Sequence, residues 1–126
     1  MVGGYAYAIH AEPRYTKDLD LFYERSHTNA DKIHVTLKEF GMESLNLTVD
    51  DFTKPGRVIQ IGYPPLRADL INEIDGISFD EAWENKIESA YGQHTIYVIG
   101  KGDLIKNKKA SGREQDLLDA RKLEKS

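Results

Sequence analysis

Residues 2–22 read VGGYAYAIHAEPRYTKDLDLF: two glycines open the stretch, and two aspartates separated by one leucine stand near its end. From Asp18 to Tyr23 the residues alternate, which predicts a strand with Leu19, Leu21 and Tyr23 on one face and Asp18, Asp20 and Phe22 on the other. Aspartate is disfavoured in strands. Side chains two positions apart on one strand face lie roughly 7 Å from each other. Two carboxylates at that separation repel by about 2 kcal/mol at an effective dielectric near 20. Such a face is either turned to water or offered to a cation. A divalent ion reverses the sign of the repulsion, because hard cations take carboxylate oxygens and keep coordination positions for phosphate. Upstream, Gly3-Gly4 predicts the entrance to a short helix over 5–11, ended by Pro13. Glycines there let backbone approach an anion, and the free N–H groups of a helix N-terminus point towards it.

Working outward, Ile33, Leu37 and Phe40 recur at helical spacing, predicting a helix from Asn29, as N-cap, to a stop at Gly41. RVIQIG (57–62) and LRADLI (66–71) read as two strands joined at Pro64-Pro65. SFDEAWENK is a brief helix with Ser78 as N-cap and Glu81 completing a capping box. Residues 87–92 and 94–100 read as a hairpin, and 103–124 as two helices broken near Ser111-Gly112. Strands mixed with helices over one sheet make an α/β or α+β domain, and 126 residues suit a single domain spanning 1–126.

Composition narrows the function classes. With no cysteine, disulfides and thiolate metal sites are excluded. Neither a leader segment nor an apolar run near 18 residues is present, so the expectation is a cytoplasmic protein with no membrane contact. The net charge of −4 divides into −7 over residues 1–100 and +3 over 101–126. An acidic body with a basic tail argues against an extended nucleic-acid surface and suits a small anionic ligand held between the two parts. The four histidines lack metal-ligand spacing, and no Walker-A or nucleophile-elbow sequence occurs. Trp83, Tyr91 and Tyr97 are expected in core or hairpin packing rather than in a base-stacking platform.

A third carboxylate stands in the same awkward setting as the first two. Asp69 lies inside LRADLI, between Ala68 and Leu70. If its strand pairs beside the first, three carboxylates converge on one face; otherwise Asp69 forms an ion pair with Arg67 or Arg14. A converging triad suits two-metal phosphoryl transfer, with two ions ~4 Å apart clamping the attacking and leaving oxygens. Asp18 and Asp20 then bridge both ions, while Asp69 holds the ion beside the attacking hydroxyl and takes its proton.

The order hydrophobic-Gly-Gly, short helix, Arg-x-Thr-x-Asp-x-Asp resembles the nucleotidyltransferase superfamily of DNA polymerase beta. VGGYAYAIHAEPRYTKDLDLF, VIQIGYPPLRADLI, GISFDEAW and LIKNKKASGREQDLLDARKLE together look like small bacterial nucleotidyltransferases related to minimal nucleotidyltransferase antitoxins and to AbiEii-type toxins. The resemblance covers nearly the whole chain. It implies a mixed sheet flanked by helices with a C-terminal helical pair, the N-terminal strand being truncated in this chain. It places Gly3 and Gly4 on the phosphate turn, Asp18 and Asp20 on the metal pair and Asp69 on the third carboxylate. Lys108, Arg113 and Asp116 match the closing Lys–Arg–Asp pattern, with Lys108 and Arg113 gripping phosphate. Arg14 and Thr16 border the metal strand and either touch phosphate or shape the turn.

The implied activity is Mg²⁺-dependent transfer of a nucleoside monophosphate from an NTP, ATP included, to a hydroxyl acceptor, with Mn²⁺ as the alternative ion. The acceptor is a protein, a tRNA or a small molecule. The alternative is a non-catalytic nucleotide-binding or interaction subunit such as one half of a toxin–antitoxin pair. The sequence departs from the family at His10-Ala11, where relatives carry His-Gly, and in its short first strand, which favours a homodimer covering the exposed edge.

Overall fold

A computed structural model describes residues 1–11, 18–39, 47–63 and 66–126. Pro13, Arg14, Thr16, Phe40, Gly41 and the Pro64-Pro65 turn lie outside the described residues, as does the side chain of Asp18. The architecture is mixed α+β. Among the described residues it runs α1 (Gly3–His10), β1 (Asp18–Phe22), α2 (His27–Glu39), α3 (Val49–Thr53), β2 (Val58–Tyr63), β3 (Leu66–Ile71), α4 (Phe79–Glu84), β4 (Ile87–Tyr91), β5 (His94–Val98), α5 (Lys101–Ser111) and α6 (Glu114–Lys125).

Instead of the single sheet expected, the strands form two: a three-stranded sheet in the order β1-β3-β2 and the two-stranded hairpin β4-β5. β3 runs parallel to β1 and antiparallel to β2. The period-two pattern explains why this sheet can be packed on both sides. Leu21, Tyr23, Ile59, Ile61 and Leu70 share one face and pack with Phe52, Ala30 and Ile33 from α2 and α3. Phe22 and Ile71, from the opposite face, pack against a second core built on Tyr7, Ile77, Val98, Ile99, Leu104 and Leu123. Each such side chain contributes roughly 1.5–3 kcal/mol when fully buried. The second core covers only the Phe22–Ile71 end of that face. Asp18, Asp20, Arg67 and Asp69 occupy the register positions just beyond it.

Local chemistry explains most element ends. Ser26, rather than Asn29, opens α2: its Oγ accepts from Asn29 N–H at 3.1 Å. Ser78 caps α4, accepting from Glu81 N–H at 3.2 Å. α3 has no counterpart in the sequence reading. Its start is fixed by Thr48 N–H, which donates to Asp51 Oδ2 at 2.7 Å. Gly112, at φ 72°, ends α5, and its N–H donates to the Lys108 carbonyl at 3.2 Å. At the end of β3, buried Asn72 donates to Tyr23 Oη, Phe52 O and Lys54 O, and accepts from Gly56 N–H. One side chain thereby ties the sheet to the α3–β2 turn.

The first two residues do the work of a strand in miniature. Val2 bridges Asp20 antiparallel, its N–H donating to Asp20 O at 3.0 Å. Ile99 N–H donates to Met1 O at 3.0 Å. Met1 and Val2 thus stitch β1 to the residue following β5.

Candidate functional site

The register of β1 on β3 decides what meets what. Asp20 faces Asp69 and Asp18 faces Arg67 as Cα partners. Partners on neighbouring strands lie about 4.8 Å apart and emerge on the same face. Asp20 and Asp69 are therefore neighbours across the ladder. The carboxylate of Asp69 is already held: Arg67 Nε donates to Oδ1 at 3.0 Å and its Nη2 to Oδ2 at 3.1 Å. This is the planar two-bond fork that guanidinium and carboxylate make best. The strand pairing on which the triad depends is thus present, and so is the ion pair with Arg67.

Gly3 stands against the Asp20 carboxylate. Its φ is +69°, and a Cβ at this position would lie 2.2 Å from Asp20 Oδ2. Only glycine satisfies both the left-handed backbone and the close approach. Helix α1 begins at Gly3, two residues earlier than periodicity indicates, so its first turn opens beside Asp20. Gly4 is the second residue of that turn.

From this corner a cavity of about 490 Å³ extends between β1, the loop after β3 and the α5–α6 pair. Its walls bring Gly3 and Asp20 together with Lys108, Arg113 and Asp116, from opposite ends of the chain. Asp69 is not among the residues lining it.

The far wall is an ion network. Lys108, Asp116 and Asp119 are 8, 3 and 0% exposed. Lys108 Nζ lies 3.4 Å from Asp116 Oδ1 and 3.2 Å from Asp119 Oδ2. Arg113 Nε donates to Asp116 Oδ2 at 2.7 Å, and Gln115 Nε2 to Asp119 Oδ1 at 2.8 Å. The hydrogen bond that Arg113 donates to the Asp116 carboxylate raises the Arg113 pKa, with the charge of Asp116 and, more weakly, of Asp75 adding to it. The Arg113 side chain is 81% exposed, so its guanidinium stands at the cavity mouth. Lys108 faces the cavity while its ammonium joins α5 to α6.

Two acids on the cavity wall, Glu73 and Asp75, have no place in the sequence reading. Their signal was NEIDG directly after the LRADLI strand, an acid-rich turn at the end of a parallel strand. The turn is pinned to α5: Asn107 Nδ2 donates to Asp75 O at 2.8 Å, and Ser111 Oγ to Asp75 Oδ2 at 3.1 Å. Gly76, at φ +78°, sits so near α5 that a Cβ would lie 2.6 Å from the Ala110 methyl.

Tyr97 stands in the β4–β5 hairpin, Trp83 is half-exposed on α4 rather than in a core, and the side chain of Tyr91 lies outside the described residues. Trp83 is 47% exposed, stacked on Phe79 at 5.8 Å with 18° between planes, and Lys86 Nζ lies 4.0 Å from its ring centroid. Two histidines are tied to backbone: the rings of His10 and His34 donate from Nε2 to Ile99 O and Leu47 O.

Asp20 and Asp69 supply hard oxygen donors of the type Mg²⁺ and Mn²⁺ take, and the bare Cα of Gly3 keeps one side of the Asp20 carboxylate narrow. Among the described residues no group of three or more His, Cys, Asp or Glu is arranged to hold a metal ion. Nor is any described helix long and apolar enough to cross a membrane. Comparison of the sequence with protein-family models and with curated proteins finds no match.

Proposed function

We propose that this chain is a Mg²⁺-dependent nucleotidyltransferase that moves a nucleoside monophosphate from an NTP to a hydroxyl acceptor. The observation that carries the reading is the parallel register setting Asp20 beside Asp69, with the glycine-opened helix α1 against the same carboxylate. Asp18, Asp20 and Asp69 would hold the ion. A divalent ion bound there supplies charge neutralisation between carboxylates and phosphate, and a lowered pKa for the attacking hydroxyl. Gly3 and the first turn of α1 give the triphosphate its backbone approach. Arg113, exposed at the mouth of the cavity, grips phosphate oxygens. In the transfer the acceptor oxygen bonds to the α-phosphorus and the bond to the bridging oxygen of the β-phosphate breaks. Pyrophosphate leaves with that electron pair, and the hydroxyl proton passes to Asp69 once its bond to Arg67 has opened.

One observation favours a second reading. A carboxylate already neutralised by Arg67 suits an interaction subunit, such as one half of a toxin–antitoxin pair, that keeps the fold without the chemistry. Incubation with labelled NTPs, Mg²⁺ and protein, tRNA and small-molecule acceptors separates the two. Transfer is expected in the wild type and is lost in Asp18→Asn/Asp20→Asn. Equal transfer by that double variant overturns the metal assignment, and stoichiometric co-purification with a partner, without transfer, supports the second reading.

A further inference from the structure

Resting on the nucleotidyltransferase reading, we infer that Arg67 is a built-in counter-ion that competes with the divalent cation for Asp69. The geometry supplies each step. Arg67 and Asp69 are two residues apart on β3, on one face, and the guanidinium closes both of its bonds on the two oxygens that an ion would need. The pair is mostly withdrawn from solvent, with side-chain exposures of 26 and 13%, so water screens it poorly. Position 18 is the register partner of Arg67 and position 20 that of Asp69. Arg67 therefore completes a block of four register positions with Asp18, Asp20 and Asp69. A cation of +2 entering that block meets a fixed +1 charge that holds one of its ligands.

The consequence is a site that is electrostatically quiet without metal. The fork already occupies both Asp69 oxygens, so an ion that takes them competes with Arg67 for lone pairs and works against its fixed charge. Arg67 thus weakens binding of the bare cation, and the fold is spared the repulsion of an unneutralised acidic block.

The test is Mn²⁺ binding to the full chain, followed by electron paramagnetic resonance of the free ion, with no nucleotide or turnover. Arg67→Gln is expected to bind Mn²⁺ at least tenfold more tightly than wild type. Arg67→Lys, which keeps the charge but not the fork, is expected to fall between them. In the wild-type protein the Arg67 Nε–H resonance is expected to exchange faster with water on addition of Mg²⁺, a readout that needs no variant to fold. Equal or weaker Mn²⁺ binding by Arg67→Gln overturns the inference, as does an Nε–H signal unmoved by saturating Mg²⁺. If wild type and Arg67→Gln bind Mn²⁺ equally and Asp20→Asn binds less, the competition fails while the metal reading stands. If neither wild type nor Arg67→Gln binds Mn²⁺, both fail together.

Discussion

At Gly3 a single hydrogen atom separates a workable corner from a blocked one. The backbone there is left-handed, and the Asp20 carboxylate occupies the space into which any side chain would project. Gly3→Ala therefore imposes strain of about 1–3 kcal/mol and pushes Asp20 off its position. A shift of about 1 Å at a reacting centre costs on the order of 100-fold in rate. The variant is expected to melt lower and to lose Mn²⁺ binding together with transfer. A folded Gly3→Ala with wild-type Mn²⁺ affinity would detach the glycine from the site. Asn72 poses a different residue-scale problem. Its carboxamide satisfies three acceptors and one donor at once. Asn72→Ala strands several of these groups where water has little access, and a loss of roughly 2 kcal/mol in urea unfolding is expected.

Helices α5 and α6 are held by charge as much as by apolar contact, and the two kinds of cation there differ sharply. Lys108→Ala leaves Asp116 without one of its two partners and fully buried Asp119 without its ammonium, at an expected cost of roughly 3–5 kcal/mol. Arg113→Ala removes a guanidinium that is mostly in water, and equilibrium unfolding is expected to register about 1 kcal/mol or less. A second element-scale effect belongs to α3 and α4. The Thr48 backbone hydrogen bond holds the Asp51 carboxyl below its ordinary pKa, and the Lys106 hydrogen bond does the same for Glu81. Because the folded pKa lies below the unfolded one, the contribution is present at neutral pH and is lost as pH falls through the lowered value. The acid limb of the melting-temperature profile, below about pH 4, is expected to flatten in Asp51→Asn/Glu81→Gln. These elements also mark what sequence could disclose. Alternation gave β1 its faces, Pro64-Pro65 divided the runs that form β2 and β3, and Ser78 and Gly112 announced the start of α4 and the end of α5. Helix α3 escaped because five residues show no period, although Thr48 and Asp51 carried its capping signature. Lys108 could be matched to a pattern, but its partners depend on how α6 folds back, which three neighbouring lysines leave undetermined. Arg67 was one of two partners, with Arg14, that the sequence offered Asp69 should the carboxylates not converge. That Asp20 stands beside the same carboxylate depended on strand order, which no local pattern encodes.

Across the whole molecule, the three-stranded sheet separates two cores, and the proposed chemistry sits where the second core stops covering it. The cavity at that boundary is lined by four carboxylates, Asp20, Glu73, Asp75 and Asp116, against two cations, Lys108 and Arg113, a balance of −2. Asp116 bonds to both of those cations, so their positive field is partly spent within the wall. A free triphosphate brings about four negative charges of its own, and Coulomb repulsion at low effective dielectric disfavours its entry. Nucleotide and divalent ion are therefore expected to bind as a unit, each weak alone. Thermal unfolding reads this directly, because a ligand at 100 times its dissociation constant stabilises the folded state by about 2.7 kcal/mol. Mg²⁺ with NTP should raise the melting temperature by more than the sum of the two separate effects, and Asp20→Asn should erase the excess. If NTP stabilises the protein equally with and without Mg²⁺, the acidic wall does not face the triphosphate. The nucleotide would then have to sit elsewhere on the surface, away from the corner that Gly3 and Asp20 share.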